Sequence, residues 1–257
     1  RQIGMKSVRT TGLNLSPGTT ELDLSTALLL SFLFFVMALL YSSVGHAGAS
    51  GYLAAMGFLG ITSAIMKPTA LILNIAAAAI ASFQFFRAGF FSWRLFWPFA
   101  LTSIPFAFLG GWIVIPSVLY RQVIGVILAF CTFRLFFLSK ESLSDRESFS
   151  IPVSLFIGAL IGFLSGAVGV GGGIFLSPLL LLFTRTEIKK VSAVAALFIL
   201  VNSLSGLAGL IARTPDLPIF LPLWLIAAST GSWIGSTYGS GKVPPIFLRR
   251  LLSVVLV

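Results

Sequence analysis

Two short glycine-rich stretches interrupt long apolar runs, and they hold the residues of this chain best suited to chemistry. The first reads Ser43-Val44-Gly45-His46-Ala47-Gly48-Ala49-Ser50-Gly51 and the second Gly166-Ala167-Val168-Gly169-Val170-Gly171-Gly172-Gly173. Glycine lowers the cost of leaving helical geometry and lets backbone approach backbone or a ligand. A helix that starts at such a break presents free N–H groups, and its dipole favours an anion there. Gly45, Gly48, Ser50 and Gly51 in the first break, and Gly169, Gly171, Gly172 and Gly173 in the second, are therefore candidate backbone ligands of an anion. Close helix packing through small residues is the structural alternative. His46, the single histidine, could couple a proton, touch the anion directly, or merely fill the glycine turn. Asn74 and Asn202 are lone amides in apolar segments. Each could donate to an oxyanion without adding charge, or act as interhelical glue worth ~0.6 kcal/mol. Ser203 and Ser205 follow Asn202 and extend the polar patch.

The elements that must position these residues are membrane helices. Hydrophobic residues make up 57% of the 257-residue chain, charged residues 9%, and mean hydropathy is +1.04. Soluble domains carry roughly 25% charged residues. The apolar segments run over about 25–43, 50–63, 68–87, 92–115, 119–138, 151–167, 173–184, 188–212, 217–239 and 245–257. They are continuously apolar rather than alternating, which excludes an outer-membrane barrel and leaves helices. Segments 50–63 and 173–184 are too short to span alone and read as return limbs of hairpins. Residues 1–23 form a polar tail without the apolar core of a signal peptide. Trp93, Trp97, Trp112, Trp224 and Trp233 fit an aromatic belt. Lys67, before Pro68 at a helix start, either snorkels to the headgroups or pulls anions toward the pore mouth, snorkelling being the favoured reading.

A shift of 124 positions superposes Phe32, Leu40, Val44, Gly45 and Gly48 on Phe156, Leu164, Val168, Gly169 and Gly172. Broken apolar segments at matching places in two halves point to a binding site near the bilayer midplane. The expected domain is 24–257, with a first repeat over 24–138, a hydrophilic linker over 139–150 and a second repeat over 151–257. Each repeat is a glycine-broken hairpin followed by three transmembrane helices. If the hairpins return to the side they started from, the 17 Lys and Arg residues divide 6 against 11 between the two faces. If each hairpin is one broken span, they divide 9 against 8. The positive-inside rule favours the first arrangement. The fold is thus expected to be an all-α polytopic membrane protein of two inverted structural repeats, with the linker cytoplasmic, in the inner cell membrane.

The basic balance of +10 does not indicate a nucleic-acid partner. The cations stand singly or in pairs between apolar runs, where they set topology and meet anionic lipid headgroups. No acidic residue lies deep in an apolar segment, so carboxylate pairs and intramembrane cation sites have no candidates. One cysteine, Cys131, excludes an intramolecular disulfide. HExxH, P-loop and GxSxG signatures are absent, and no cofactor or metal is expected. The rival classes are a membrane scaffold or assembly protein, an anion channel, and an intramembrane enzyme, which would need a converging nucleophile and base.

The stretch from Gly158 to Leu181 resembles the second-half hallmark of the TauE/SafE sulfite-exporter family. The stretch Ala195 to Gly209 is similar to that family's asparagine-serine helix. A weaker first-half version is carried by Gly45, Gly48, Lys67-Pro68, Asn74 and the turn at 86–93. The resemblance implies secondary transport of a small sulfur-containing anion or organic acid, such as sulfite, sulfoacetate or thiosulfate. On that reading the anion sits between the breaks, with Asn74, Asn202 and Ser205 completing its shell. The first break departs from the fuller pattern, with Ala47 and Ala49 where a symmetric copy would have Gly171 and Gly173. The related thiosulfate uptake proteins rely on several pore cysteines, and a single Cys131 argues against that mechanism.

Overall fold

In lipid no water pairs with the backbone, so long apolar segments satisfy their N–H and C=O groups by coiling into helices. The computed structural model describes residues 23–113, 149–184, 186–211 and 217–241, with Gln122, Val126 and Pro244. Among the described residues there are eight helices and no strand: α1 (Leu24–Ser43), α2 (Ala49–Phe58), α3 (Ser63–Arg87), α4 (Trp93–Trp112), α5 (Ile151–Val168), α6 (Gly173–Phe183), α7 (Ile188–Ile211) and α8 (Leu221–Ser240). Five of them, α1, α3, α4, α5 and α7, are long and apolar enough to cross a membrane. The segments expected over 119–138 and 245–257 lie outside the described residues apart from Gln122 and Val126, as do the tail to residue 22 and most of the linker.

The breaks fall where the glycines are. α2 has 10 residues and α6 has 11. At 1.5 Å per residue each covers about half of a ~30 Å hydrocarbon core. Both hairpin limbs therefore have a short member that begins inside the protein. α3 starts at Ser63 rather than at Pro68, and Pro68 lies within the helix. Extended Thr62 opens it, accepting the N–H groups of Ile65 and Met66 at 3.1 and 3.0 Å.

Helix directions can be read from residue pairings. Gly158, Gly162 and Gly166 on α5 pack on the carbonyls of Phe99, Ser103 and Ala107 on α4, so α4 and α5 run parallel. Gly231, Gly235 and Gly239 on α8 pack on those of Phe35, Leu39 and Ser43 on α1, so α1 and α8 also run parallel. The Ser232 hydroxyl donates to the Ala77 carbonyl and Gln84 Nε2 to Thr237 Oγ1, which sets α3 parallel to α8. α3 and α7 cross in opposite directions: Leu71 meets Gly206, while Ala77 and Ala78 meet Ile199. The most extensive packing is reciprocal, α4 on α5 and α1 on α8, with α3 against α7 at the centre. The first limb of each hairpin thus leans on the other half of the chain.

Two GxxxGxxxG ladders make this possible. Without a hydrophobic drive between helices in lipid, association depends on close van der Waals approach, which small residues allow. A Cβ at any of the six ladder glycines would overlap a backbone carbonyl of the facing helix. Phe32, Phe156 and Ile226 are exposed, as lipid-facing residues should be. Trp93, Trp97, Trp112 and Trp233 are also exposed. Trp224 does not join that belt. It is fully buried, its Nε1–H donates to the Ala27 carbonyl at 3.1 Å, and its ring meets Phe34 edge-on at 5.3 Å.

Arg87, Arg94, Lys189 and Lys190 gather at one end of the bundle. Lys189 reaches across there, with Nζ 3.2 Å from the Gly241 carbonyl and 5.2 Å from the Phe90 ring centroid.

The ladders can be tested by adding volume. Gly162→Val and Gly235→Val should each destabilise the protein by about 1–3 kcal/mol or more through overpacking. Thermal unfolding in detergent measures this. Gly57→Ala is the control, since a Cβ there meets only Met66 at an ordinary 3.6 Å. Equal melting temperatures for all three would contradict the ladder assignment.

Candidate functional site

The two breaks have the same backbone design. Gly45 and Gly169, which follow the ends of α1 and α5, adopt φ +76° and +85°, and Gly48 and Gly172, which cap α2 and α6, adopt +99° and +81°. These pairs are related by the same 124-residue shift. L-residues with a side chain pay roughly 1–2 kcal/mol in this left-handed region, and glycine does not. Gly171 adds a third such turn at +80° in the second break, where the first has Ala47. Neither α2 nor α6 receives a side-chain hydrogen bond at its N-terminus. A glycine cap therefore leaves the first-turn N–H groups without the oxygen that Ser or Asp would supply there.

Each break packs against the start of the third helix of the opposite half. A Cβ on Gly45 would overlap the Ser192 backbone on α7, and one on Gly169 would lie 3.2 Å from Lys67 Cγ on α3. The breaks also touch each other. His46 is buried, with Nε2 3.2 Å from the Gly173 carbonyl and Nδ1 3.1 Å from the Val44 carbonyl. A neutral imidazole has one N–H and donates to only one of these oxygens, whereas an imidazolium donates to both. Ala47 packs with Ala77 and Ala78 of α3 and Ile199 of α7. Both breaks thus converge on the α3/α7 crossing.

Polar groups are distributed unequally between them. In the first break the side chains are paired within the protein. The Ser50 hydroxyl donates to the Tyr41 hydroxyl at 2.7 Å, the Tyr52 hydroxyl to the Ala47 carbonyl at 2.5 Å, and the Ser42 hydroxyl to the Ser232 hydroxyl at 2.8 Å. Gly48 and Gly51 are filled by neighbours: a Cβ on either would come within 2.8 Å of the Tyr52 ring or the Met37 side chain.

The second break is surrounded by buried polar atoms with no hydrogen-bond partner in the protein. They are both amide atoms of Asn74, Oδ1 of Asn202, and the hydroxyls of Ser165 and Ser203. A Cβ on Gly171 would lie 2.9 Å from Ser203 Oγ and 3.1 Å from Asn74 Nδ2, so both groups face that glycine. Asn202 lies on the α7 face between Phe198, which meets Gly172, and Ile199, which meets Gly171 and Gly173. Its Nδ2 donates to the Phe198 carbonyl at 2.8 Å, leaving the oxygen.

Lys67 is the residue that sequence reasoning misplaced. It is buried rather than snorkelling, and its Nζ donates to the Gly110 and Gly111 carbonyls near the end of α4 at 3.4 and 3.3 Å. Carbonyls at a helix C-terminus carry partial negative charge and suit a cation. Lys67, Leu71 and Asn74 share one face of α3, which lines the second break from Gly169 to Gly171. No Asp or Glu is buried among the described residues.

Ser205 stands apart from this cluster. It donates to the Ile104 carbonyl of α4 at 2.5 Å and is partly exposed. Ser203, two residues earlier, takes the place expected for it. The i, i+7 spacing of Lys67 and Asn74 is the signal that could have tied Lys67 to the site.

Broken half-span helices meeting at a buried polar cluster define a membrane transporter architecture. The chain belongs to the sulfite exporter TauE/SafE family, whose profile matches residues 30–257. It is 41% identical over 231 residues to the probable membrane transporter protein y4hK of Sinorhizobium fredii, covering 88% of this chain and 94% of that one. It is 26% identical over 263 residues to the probable membrane transporter protein MJ0441 of Methanocaldococcus jannaschii, covering 92% and 96%. No solved structure matches it significantly.

The contact between the breaks has a direct test. Gly173 opens α6, so its carbonyl keeps its partner within the helix. His46→Ala removes the bond between the two breaks, which should cost about 0.5–1.5 kcal/mol. His46→Gln, able to donate to one carbonyl, should recover part of that loss in a thermal melt. An unchanged melting temperature for His46→Ala would remove His46 from the packing of the two breaks.

Proposed function

We propose that this membrane transporter moves a small sulfur-containing oxyanion, sulfite or a sulfonate, across the inner cell membrane by alternating access at the second glycine break. The observation that carries this reading is the placement of Lys67. Its ammonium stem lies against Gly169, and two helical turns further Asn74 faces Gly171. A buried cation, the positive end of α6 and the Asn74 amide all favour negative charge. The lack of a buried carboxylate among the described residues disfavours a cation as cargo. The family supplies the sulfur oxyanion, since no residue in the cluster is selective for sulfur.

The two halves are inverted repeats on this reading. Antiparallel α3 and α7, the reciprocal pairs α4/α5 and α1/α8, and matched positive-φ glycines support it. The basic end with Arg87, Arg94, Lys189 and Lys190 faces the cytoplasm under the positive-inside rule. Rocking of one half on the other would part His46 from Gly173 and open the cluster alternately to each side. Phosphoryl, acyl or other covalent chemistry has no converging nucleophile and base in the cluster.

Flux of labelled sulfite and sulfonates in proteoliposomes tests the proposal. Lys67→Met keeps the apolar stem and removes the charge, and should lower saturable flux at least about tenfold, the equivalent of ~1.4 kcal/mol. Asn74→Leu removes two buried groups that lack partners, so it should leave stability equal or raised. Its flux should nevertheless fall by a similar factor. Wild-type flux in both folded variants would sink the reading.

A further inference from the structure

We infer that the anion taken at the second break carries a hydrogen-bond donor of its own, an O–H or N–H, and that Asn74 and Asn202 select for it. This rests on the anion-site reading above and narrows it to monoprotonated oxyanions or hydroxyl-bearing organic anions. The inference comes from an inventory of the polar atoms around Gly171–Gly173. A fully deprotonated oxyanion offers acceptors only. It would suit the α6 N–H groups, the Asn74 NH2 and the Ser203 hydroxyl, all of them donors.

Two amide oxygens remain. Asn202 spends one of its two N–H donors on the Phe198 carbonyl at 2.8 Å, and its atom without any partner is Oδ1, which accepts. Asn74 has neither amide atom bonded, so whichever way the amide is turned it presents an acceptor oxygen as well as an NH2 donor group. Both side chains are fully buried. The orphan atoms do not satisfy one another, because none of them has a hydrogen-bond partner in the protein. An acceptor-only anion would bring its own lone pairs toward these oxygens and leave them unmade. A ligand with one O–H can close one of them while its charged oxygens face Lys67 and the helix end. Sites with buried groups that need a ligand hydroxyl reject the analogue without it far more strongly than apolar pockets reject an added methylene.

The test uses two probes that differ by one hydroxyl, ethanesulfonate and 2-hydroxyethanesulfonate. Binding to the full chain in lipid nanodiscs is measured by titration calorimetry, in sodium and in choline buffers. We expect the hydroxylated probe to bind at least about tenfold tighter. The preference should collapse toward unity in Asn202→Leu, with ethanesulfonate binding unchanged or improved. Equal wild-type affinities would overturn this inference and leave the anion site standing. A preference that survives in both Asn74→Leu and Asn202→Leu would also overturn it. If neither sulfonate binds folded protein, both this inference and the anion site fail. A sodium-dependent heat lost in Asn202→Leu, without sulfonate binding, would reassign the orphan oxygens to a cation.

Discussion

Everything in this fold depends on where the backbone hydrogen bonds go when a helix stops inside a membrane. Lipid offers no partner to a freed N–H or C=O, and each such group costs several kcal/mol if left alone. A half-length helix is therefore tolerable only when protein surrounds both of its ends. Here the surroundings are supplied across the chain, since the first break sits on Ser192 of α7 and the second on Lys67 of α3. The ladders between α1 and α8, and between α5 and α4, bring the first hairpin limbs close enough for that contact. Glycine appears in the ladders for its lack of volume and at the breaks for its access to positive φ.

Much of this was legible in the sequence because glycine at a membrane-helix break has few substitutes. The 124-residue shift pairs Gly45 with Gly169 and Gly48 with Gly172 by residue type alone, and those pairs share their left-handed geometry. The short limbs at α2 and α6 followed from the distance between the breaks and the next polar residues. Helix ends were less legible at α3, where Pro68 looked like a start. Thr62 opens that helix instead, and membrane helices absorb an interior proline more readily than soluble ones.

The site was legible by residue type and not by depth. Asn74 and Asn202 stood out as amides among apolar neighbours, whereas Lys67 did not, because lysine near a helix start usually snorkels. Only the crossing of α3 under Gly169 turns its stem inward. Trp224 failed in the same way, since nothing in its sequence neighbourhood distinguishes a belt tryptophan from one that bonds the Ala27 carbonyl. Ser203 and Ser205 lie two residues apart, so on a helix they point in different directions. Sequence alone had no means of choosing between them, and the facing helix decides it.

The inequality of the two breaks is the feature on which the proposed activity rests. A protein selected only for stability would pair its buried polar atoms or replace them with apolar ones. The first break meets that standard, with Ser42, Ser50, Tyr52 and His46 all bonded. The second does not, and its orphan atoms cluster where Gly171 leaves room for no side chain. Polar atoms kept without partners, at roughly 1–3 kcal/mol each, are affordable where a ligand completes them for part of a cycle. On the proposed reading the first break is the fixed half of the contact and the second the half that binds. Val170, standing where the first break has His46, fits that division. The second break needs no side-chain bond of its own to the first, because His46 already supplies one from the other side.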